Sequence, residues 1–125
     1  MVKSASDLVA AADAEVGHLS VEEAHALHGD ADVVFLDVRE PPEVAKGKVP
    51  GAVHVPRGLL EFAADPKSPT HKQELSAGKR VVVYCGSGAR SALAAKTLTD
   101  MGIERVTHMQ GGFGGWKAAE YDVET

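Results

Sequence analysis

Residues 81–91 read Val81-Val82-Val83-Tyr84-Cys85-Gly86-Ser87-Gly88-Ala89-Arg90-Ser91. Three β-branched valines in succession describe a strand buried on both faces, as found inside a parallel sheet. The strand ends at Cys85, the only cysteine of the chain. Two glycines follow, and Ser91 opens a stretch rich in helix formers. A strand, a loop of small residues and a helix start gather backbone N–H groups around one point. Those amides and the positive end of a helix dipole suit an anionic sulfur. The same surroundings lower a thiol's pKa toward the nucleophilic thiolate.

An isolated cysteine in an apolar context is more often a small buried hydrophobe. Three features point the other way here. The residue stands at a strand's C-terminal end, where open α/β sheets bind ligands. Gly86 and Gly88 remove side chains where a backbone must curl around a ligand. Arg90 adds a permanent positive charge and a forked donor.

Cys85-Gly86-Ser87-Gly88-Ala89-Arg90 resembles the active-site loop of the rhodanese family of sulfurtransferases. Two further stretches carry the same resemblance in the same order. Asp37-Val38-Arg39-Glu40 is followed, about ten residues on, by Gly47-Lys48-Val49-Pro50-Gly51-Ala52-Val53-His54-Val55-Pro56, similar to the family's N-terminal signature. Gly111-Gly112-Phe113-Gly114-Gly115-Trp116 is similar to its closing Gly-Gly-x-x-x-Trp. The resemblance covers residues 16–116. It implies a single domain over 1–125, with a core at about 16–118. It implies an α/β fold of three layers, with a mostly parallel central sheet of about five strands and helices on both faces. Alternation of short strands with helices independently predicts an α/β class.

The family's chemistry is ping-pong sulfur transfer. The resemblance casts Cys85 as the catalytic nucleophile, which takes a sulfane sulfur from thiosulfate or a similar donor as a persulfide. The sulfur then passes to a thiophilic acceptor such as cyanide or a thiol, or to an acceptor protein. Gly86, Ser87, Gly88, Ala89 and Arg90 are expected to bind substrate, Arg90 by orienting an anionic donor, and Ser91 to support the loop. No cofactor and no metal is implied. Many thiosulfate-using members carry a basic residue after the cysteine, where this chain has Gly86; mercaptopyruvate is therefore the second-choice donor. Dual-specificity phosphatases of this fold separate Cys and Arg by five residues, whereas here only Gly86 to Ala89 intervene. The shorter loop matches a sulfur-sized cradle, and Tyr84 stands where such phosphatases usually place a histidine. A non-enzymatic binding, regulatory or sulfur-carrier module and a Cys85 redox sensor are the alternatives; members of the first class typically lack the cysteine, and no second cysteine is present to resolve a sulfenate.

Other residues have two readings. Asp37 and Arg39 form either a structural ion pair at the sheet's C-terminal edge or an electrostatic wall of the pocket. Arg57 follows a strand end and either faces the Cys85 crevice or lies on the surface. The loop-like segment 65–78 suits substrate selection, and its His71 is either a general base or a solvated loop residue. His25 and His28 are three apart on a helix opened by the capping-box sequence Ser20-Val21-Glu22-Glu23, and no third ligand joins them, so a solvated face is expected. Leu59, Leu60 and Phe62 are expected in the core. On the helix from Ser91 to Met101, Leu93, Ala94, Thr97, Leu98 and Met101 share the predicted buried face.

The whole-chain properties bound the rest. A length of 125 residues suits one core. A formal charge of −5, with no basic run, argues against nucleic acid and membrane surfaces. One cysteine forms no internal disulfide, which fits a reducing compartment. The first residues lack the apolar core of a signal peptide, so a cytoplasmic location is expected.

Overall fold

A computed structural model describes residues 1–125. The elements, in chain order, are α1 (Ala5–Glu15), β1 (Gly17–Leu19), α2 (Val21–Leu27), β2 (Val33–Asp37), α3 (Pro41–Ala45), β3 (Val53–His54), α4 (Leu60–Ala64), β4 (Arg80–Tyr84), α5 (Ala89–Asp100), β5 (Val106–Met109) and α6 (Gly112–Ala118). Single 3₁₀ turns occupy Arg57–Leu59 and Gln73–Leu75. Capping boxes start the first two helices. Ser4 accepts from the Asp7 N–H and Ser20 from the Glu23 N–H, both at 3.0 Å, and each acidic side chain returns to its cap's amide.

The five strands form one parallel sheet in the order β1-β5-β4-β2-β3. This is the α/β architecture the sequence implied. Leu36 lies opposite Val83, and Val83 opposite His108. The C-terminal ends of β2, β4 and β5 are thus side by side, and the loops after them share one edge.

Side-chain alternation divides the sheet between two cores. Val81, Val83 and Cys85 point to the face covered by α1, α4 and α5, with Leu60, Ala94, Ala95 and Leu98. Val82 and Tyr84 point to the face covered by α2 and α6, with Val21, Phe113 and Trp116. The register gives His108 the parity of Val83, so it points to the α1/α5 face. That assignment proves important below.

Three packing expectations are corrected. Only Leu60 of the trio at 59–62 is core: Leu59 is 57% and Phe62 59% exposed. Helix α4 is one short turn, and it buries Leu60, Ala63 and Ala64 on one side, which sends Phe62 outward. Helix α5 starts at Ala89 and buries Ser91, Ala92, Ala94, Ala95 and Leu98. Its alanine-rich side lies inward, while Leu93 and Thr97 are half-buried and Met101 is exposed. The third correction concerns His28, which is half-buried, whereas His25 is exposed as expected. His25 stacks on Tyr121 at 3.7 Å between centroids, and His28 meets the edges of Phe35 and Trp116 while bonding the Pro50 carbonyl at 2.8 Å. They belong to an aromatic cluster that closes the α2/α6 face.

Segment 65–78 runs away from the cysteine. Leu75, Ser76 and Gly78 line a surface hollow with Met101, Ile103 and Arg105, beside the N-terminal ends of β4 and β5. His71 is engaged within the segment's own neighbourhood, by the Ala63 carbonyl at 2.8 Å and the Ser76 hydroxyl at 2.9 Å. Neither the selectivity role nor a base role for His71 at Cys85 fits this placement. No helix is long and apolar enough to cross a membrane.

Candidate active site

Cys85 follows β4 directly and is 1% exposed. The chain turns sharply after it because Gly88, the N-cap of α5, takes φ +123°, a conformation that disfavours any side chain. The turn brings two amide donors onto the sulfur, together with the Ser91 hydroxyl oxygen, which accepts from the thiol. Gly88 N–H lies at 3.1 Å from Sγ, Ser91 N–H at 3.4 Å and Ser91 Oγ at 3.6 Å. Burial works to raise the Cys85 pKa. The Ser91 hydroxyl, followed by the amides of Ser91, Gly88 and Ser87, outweighs burial and lowers it below the ordinary thiol value.

For these amides to face inward, the loop's carbonyls must find partners outside. Helix α6 supplies them. Phe113 N–H donates to the Cys85 carbonyl at 2.8 Å and Gly114 N–H to the Gly86 carbonyl at 3.0 Å. The approach is possible only because residue 112 is glycine: at φ +60°, a Cβ there would lie 2.6 Å from backbone atoms of Cys85 and Gly86. The glycine pair at 111–112, read in sequence as allowing a close approach to the site, does so through these two bonds. Trp116 is buried in the core, with its indole N–H donating to the Asp122 carbonyl.

Arg90 lies beside Gly86, where a Cβ would be 3.2 Å from its Nη2. Its guanidinium is already engaged, with Nη1 and Nη2 donating to the two Glu43 oxygens at 2.7 and 2.9 Å. Glu43 Oε1 also accepts from the Glu40 N–H at 3.1 Å, which holds the carboxylate in place. The Arg90 guanidinium keeps the Glu43 carboxyl at about 2, well below its usual range. The Arg90 charge is therefore balanced by a carboxylate not singled out in the sequence.

Asp37 and Arg39 form a buried ion pair at 2.7 Å, 0% and 4% exposed. Arg39 Nη2 also donates to the Gly47 carbonyl at 2.7 Å, and its guanidinium lies 4.2 Å from the Phe113 ring centroid. Tyr84, on the same face, accepts from the Val49 N–H at 3.1 Å. Burial pushes its phenol far above the usual tyrosine range, so it stays neutral. This cluster ties the loops after β2 to α6. The geometry is that of the structural reading of Asp37 and Arg39. Arg57 directs Nη1 to Glu61 at 3.2 Å and Nη2 to Thr97 Oγ1 at 3.1 Å. Thr97 is six residues along α5 from Ser91, about 9 Å of helix. Arg57 is thus turned onto α5 rather than into the Cys85 loop.

Two residues beside the site were not singled out from sequence. Glu43 is brought to Arg90 across 47 positions, without any local signal. His108 is buried, with one ring nitrogen 3.2 Å from Ser91 Oγ and the other 2.7 Å from Asp13 Oδ1. The signal available was a histidine among apolar residues of a strand at the same parity as Val106.

No group of three His, Cys, Asp or Glu side chains is arranged to hold a metal. What the arrangement provides is a recessed sulfur with two backbone amides and a hydroxyl directed at it, and an ion pair beside its loop.

The family model for the rhodanese-like domain matches residues 20–119. A protein of Allochromatium vinosum named sulfurtransferase is 36% identical over 85 residues, 68% of this chain and 72% of that one. Among solved structures, a protein of unknown function from Rhodopseudomonas palustris, described as a possible tyrosine phosphatase, is 42% identical, with a TM-score of 0.95 over 99% of this chain and 96% of that one. The thiosulfate sulfurtransferase of Pseudomonas aeruginosa is 29% identical, with a TM-score of 0.71 over 96% of this chain but only 22% of that protein. The three motifs, the all-parallel sheet and the matched residues lead to one conclusion: this chain belongs to the rhodanese-like domain family.

Proposed function

We propose that the protein is a sulfurtransferase that carries a sulfane sulfur as a persulfide on Cys85. The observation that carries this reading is the convergence of Gly88 N–H, Ser91 N–H and Ser91 Oγ on one buried sulfur. Such donors stabilise an anionic sulfur before attack, and a persulfide anion after it, without acid–base machinery for a leaving group that departs as an anion. The Cys85 thiolate attacks the outer sulfur of thiosulfate, the S–S bond breaks, and sulfite leaves with the bonding pair. Cyanide or a thiolate then takes the terminal sulfur and restores the Cys85 thiolate. At 1% exposure the sulfur suits an end-on approach by a single outer atom. Thiosulfate or a small persulfide is the first-choice donor and mercaptopyruvate the second.

A phosphatase reading is weakened by the loop itself. Four residues separate Cys85 from Arg90, where phosphatases of this fold place five. A sulfur-carrier or binding module is the remaining alternative.

The deciding experiment is intact-protein mass after incubation with thiosulfate, before and after cyanide. A gain of one sulfur that cyanide removes, absent in Cys85→Ser, is expected. A gain only with mercaptopyruvate or polysulfide reassigns the donor. No gain with any donor overturns the enzymatic reading.

A further inference from the structure

The contacts on Cys85 do not by themselves account for the histidine buried behind them. His108 is 1% exposed and Ser91 0%. Together with Cys85 and Asp13 they form a continuous chain. Cys85 Sγ lies 3.6 Å from Ser91 Oγ, Ser91 Oγ 3.2 Å from His108 Nδ1, and His108 Nε2 2.7 Å from Asp13 Oδ1. Asp13 is 39% exposed, so the chain runs from the buried sulfur to solvent at α1. Three elements, α1, α5 and β5, and the loop after β4 supply one residue each, and the parity of β5 turns His108 toward the cysteine's face.

We propose that His108 receives the Cys85 thiol proton through Ser91 and holds it as an imidazolium against Asp13. This rests on the proposed role of Cys85 as sulfur carrier, and it adds how the resting thiol becomes nucleophilic inside a buried site.

The short contact to the Asp13 carboxylate places a proton on Nε2 of the neutral ring, which leaves Nδ1 as an acceptor. Ser91 Oγ also lies 3.2 Å from the Gly88 carbonyl, an alternative acceptor for its hydroxyl; with that hydroxyl turned to Nδ1, Ser91 donates its proton there and accepts one from the Cys85 thiol. Two protons then move together. The S–H bond breaks as its proton passes to Ser91 Oγ, and the original Ser91 proton passes to Nδ1. The products are a thiolate, a neutral Ser91 whose O–H now points at the sulfur, and an imidazolium whose second N–H stays on Asp13. No oxidant, reductant or net charge is required. When an acceptor later removes the terminal sulfur, the thiolate reappears opposite the same imidazolium, and the cycle needs no proton from solvent.

The other ionisable groups facing this chain are few. Glu15 of α1 and Lys96 of α5 pair with one another at 2.9 Å on the outer surface. Arg90 is engaged with Glu43. His18 is the register partner of His108 on β1 and is exposed. Cys85 and Asp13 alone are bonded into the relay.

A merely structural hydrogen-bond chain would hold the loop together without coupling the two titrations. The proposed relay couples them, so that the thiolate midpoint belongs to the pair. The test is the 240 nm thiolate absorbance of the full chain against pH, with Cys85→Ser as the blank, for wild type, His108→Asn and Asp13→Asn. His108→Asn is expected to raise the midpoint by about one pH unit, leaving ~10-fold less thiolate well below it. Asp13→Asn is expected to move it the same way by a smaller amount. An unchanged midpoint in a folded His108→Asn overturns the relay. Should His108→Asn fail to fold, Asp13→Asn decides alone, since its side chain is partly exposed and an unchanged midpoint there has the same meaning. The titration uses no sulfur donor, so a failure of sulfur transfer leaves it readable. Conversely, a persulfide that forms with an unshifted midpoint removes the relay and keeps the sulfurtransferase.

Discussion

Arg90 and Glu43, 47 residues apart in sequence, meet beside Gly86 as a two-pronged ion pair with N–O distances of 2.7 and 2.9 Å. Both side chains are partly exposed, at 39% and 38%, so solvent screens the pair and either partner can be drawn away by a competing ion. A dianionic donor therefore meets a balanced rim rather than a free positive charge. The carboxylate sets a modest barrier to thiosulfate that an uncharged persulfide does not meet.

Glu43→Gln is expected to raise kcat/KM for thiosulfate by about threefold to tenfold at low salt, with the gain shrinking at high salt. Arg90→Ala leaves Glu43 unopposed beside the sulfur and is expected to lower it by tens of fold, on the scale of a charge-assisted hydrogen-bond pair. The double variant is expected to recover part of that loss. Steady-state kinetics over a salt series checks all three. Equal effects of Glu43→Gln on thiosulfate and on a neutral donor would remove the electrostatic explanation.

The same pair carries a pH signature in stability. The Glu43 carboxyl sits at about 2 in the folded chain, below the ordinary carboxylate value. A lowered folded-state value stabilises the native state above the unfolded pKa and loses that contribution as pH falls through the folded one. The stability gap between wild type and Glu43→Gln is therefore expected to hold at pH 6 and close between about pH 4.5 and pH 2. Urea unfolding at a series of pH values measures it, and a gap that widens toward acid contradicts the assignment.

Gly112→Ala introduces a Cβ 2.6 Å from the backbone of Cys85 and Gly86, at a residue with φ +60°. Backbone atoms cannot swing aside as a flexible side chain does. The expected loss is ~3 kcal/mol of stability, from conformational strain and overpacking combined. The loop must also shift, so persulfide formation is expected to fall with it. Gly51→Ala is the control, because a Cβ there meets nothing within 4 Å although φ is +76°. Comparable losses in the two would assign the effect to φ alone.

Asp37→Ala leaves the Arg39 guanidinium buried without its carboxylate. Removing one partner of a buried pair costs about 3–5 kcal/mol, and the same range is expected here by urea denaturation. A loss below about 1 kcal/mol would mean that the Gly47 carbonyl and the Phe113 ring suffice to hold the cation.

The fold class and the candidate nucleophile were legible in local sequence. A β-branched valine triplet favours a strand, a cysteine after it stands at the sheet's C-terminal edge, and Gly88 permits the positive-φ turn that brings amides to the sulfur. These depend on neighbours within a few positions, and local patterns report them directly. The partners of the site were decided by tertiary structure. Glu43 reaches Arg90, and Asp13 reaches His108, only because β2, β4 and β5 run parallel side by side and helices from distant segments cap the same edge. The assignment of Arg57 to α5, and of segment 65–78 to the opposite edge, follows from the paths of chains that carry no local signal of direction. Burial within short helices was legible only in part, since one turn such as Leu60–Ala64 offers too few residues for its period to show which side faces the sheet. His108 marks the limit most clearly: one histidine in a strand is ordinary until the register places it behind Ser91 and the cysteine.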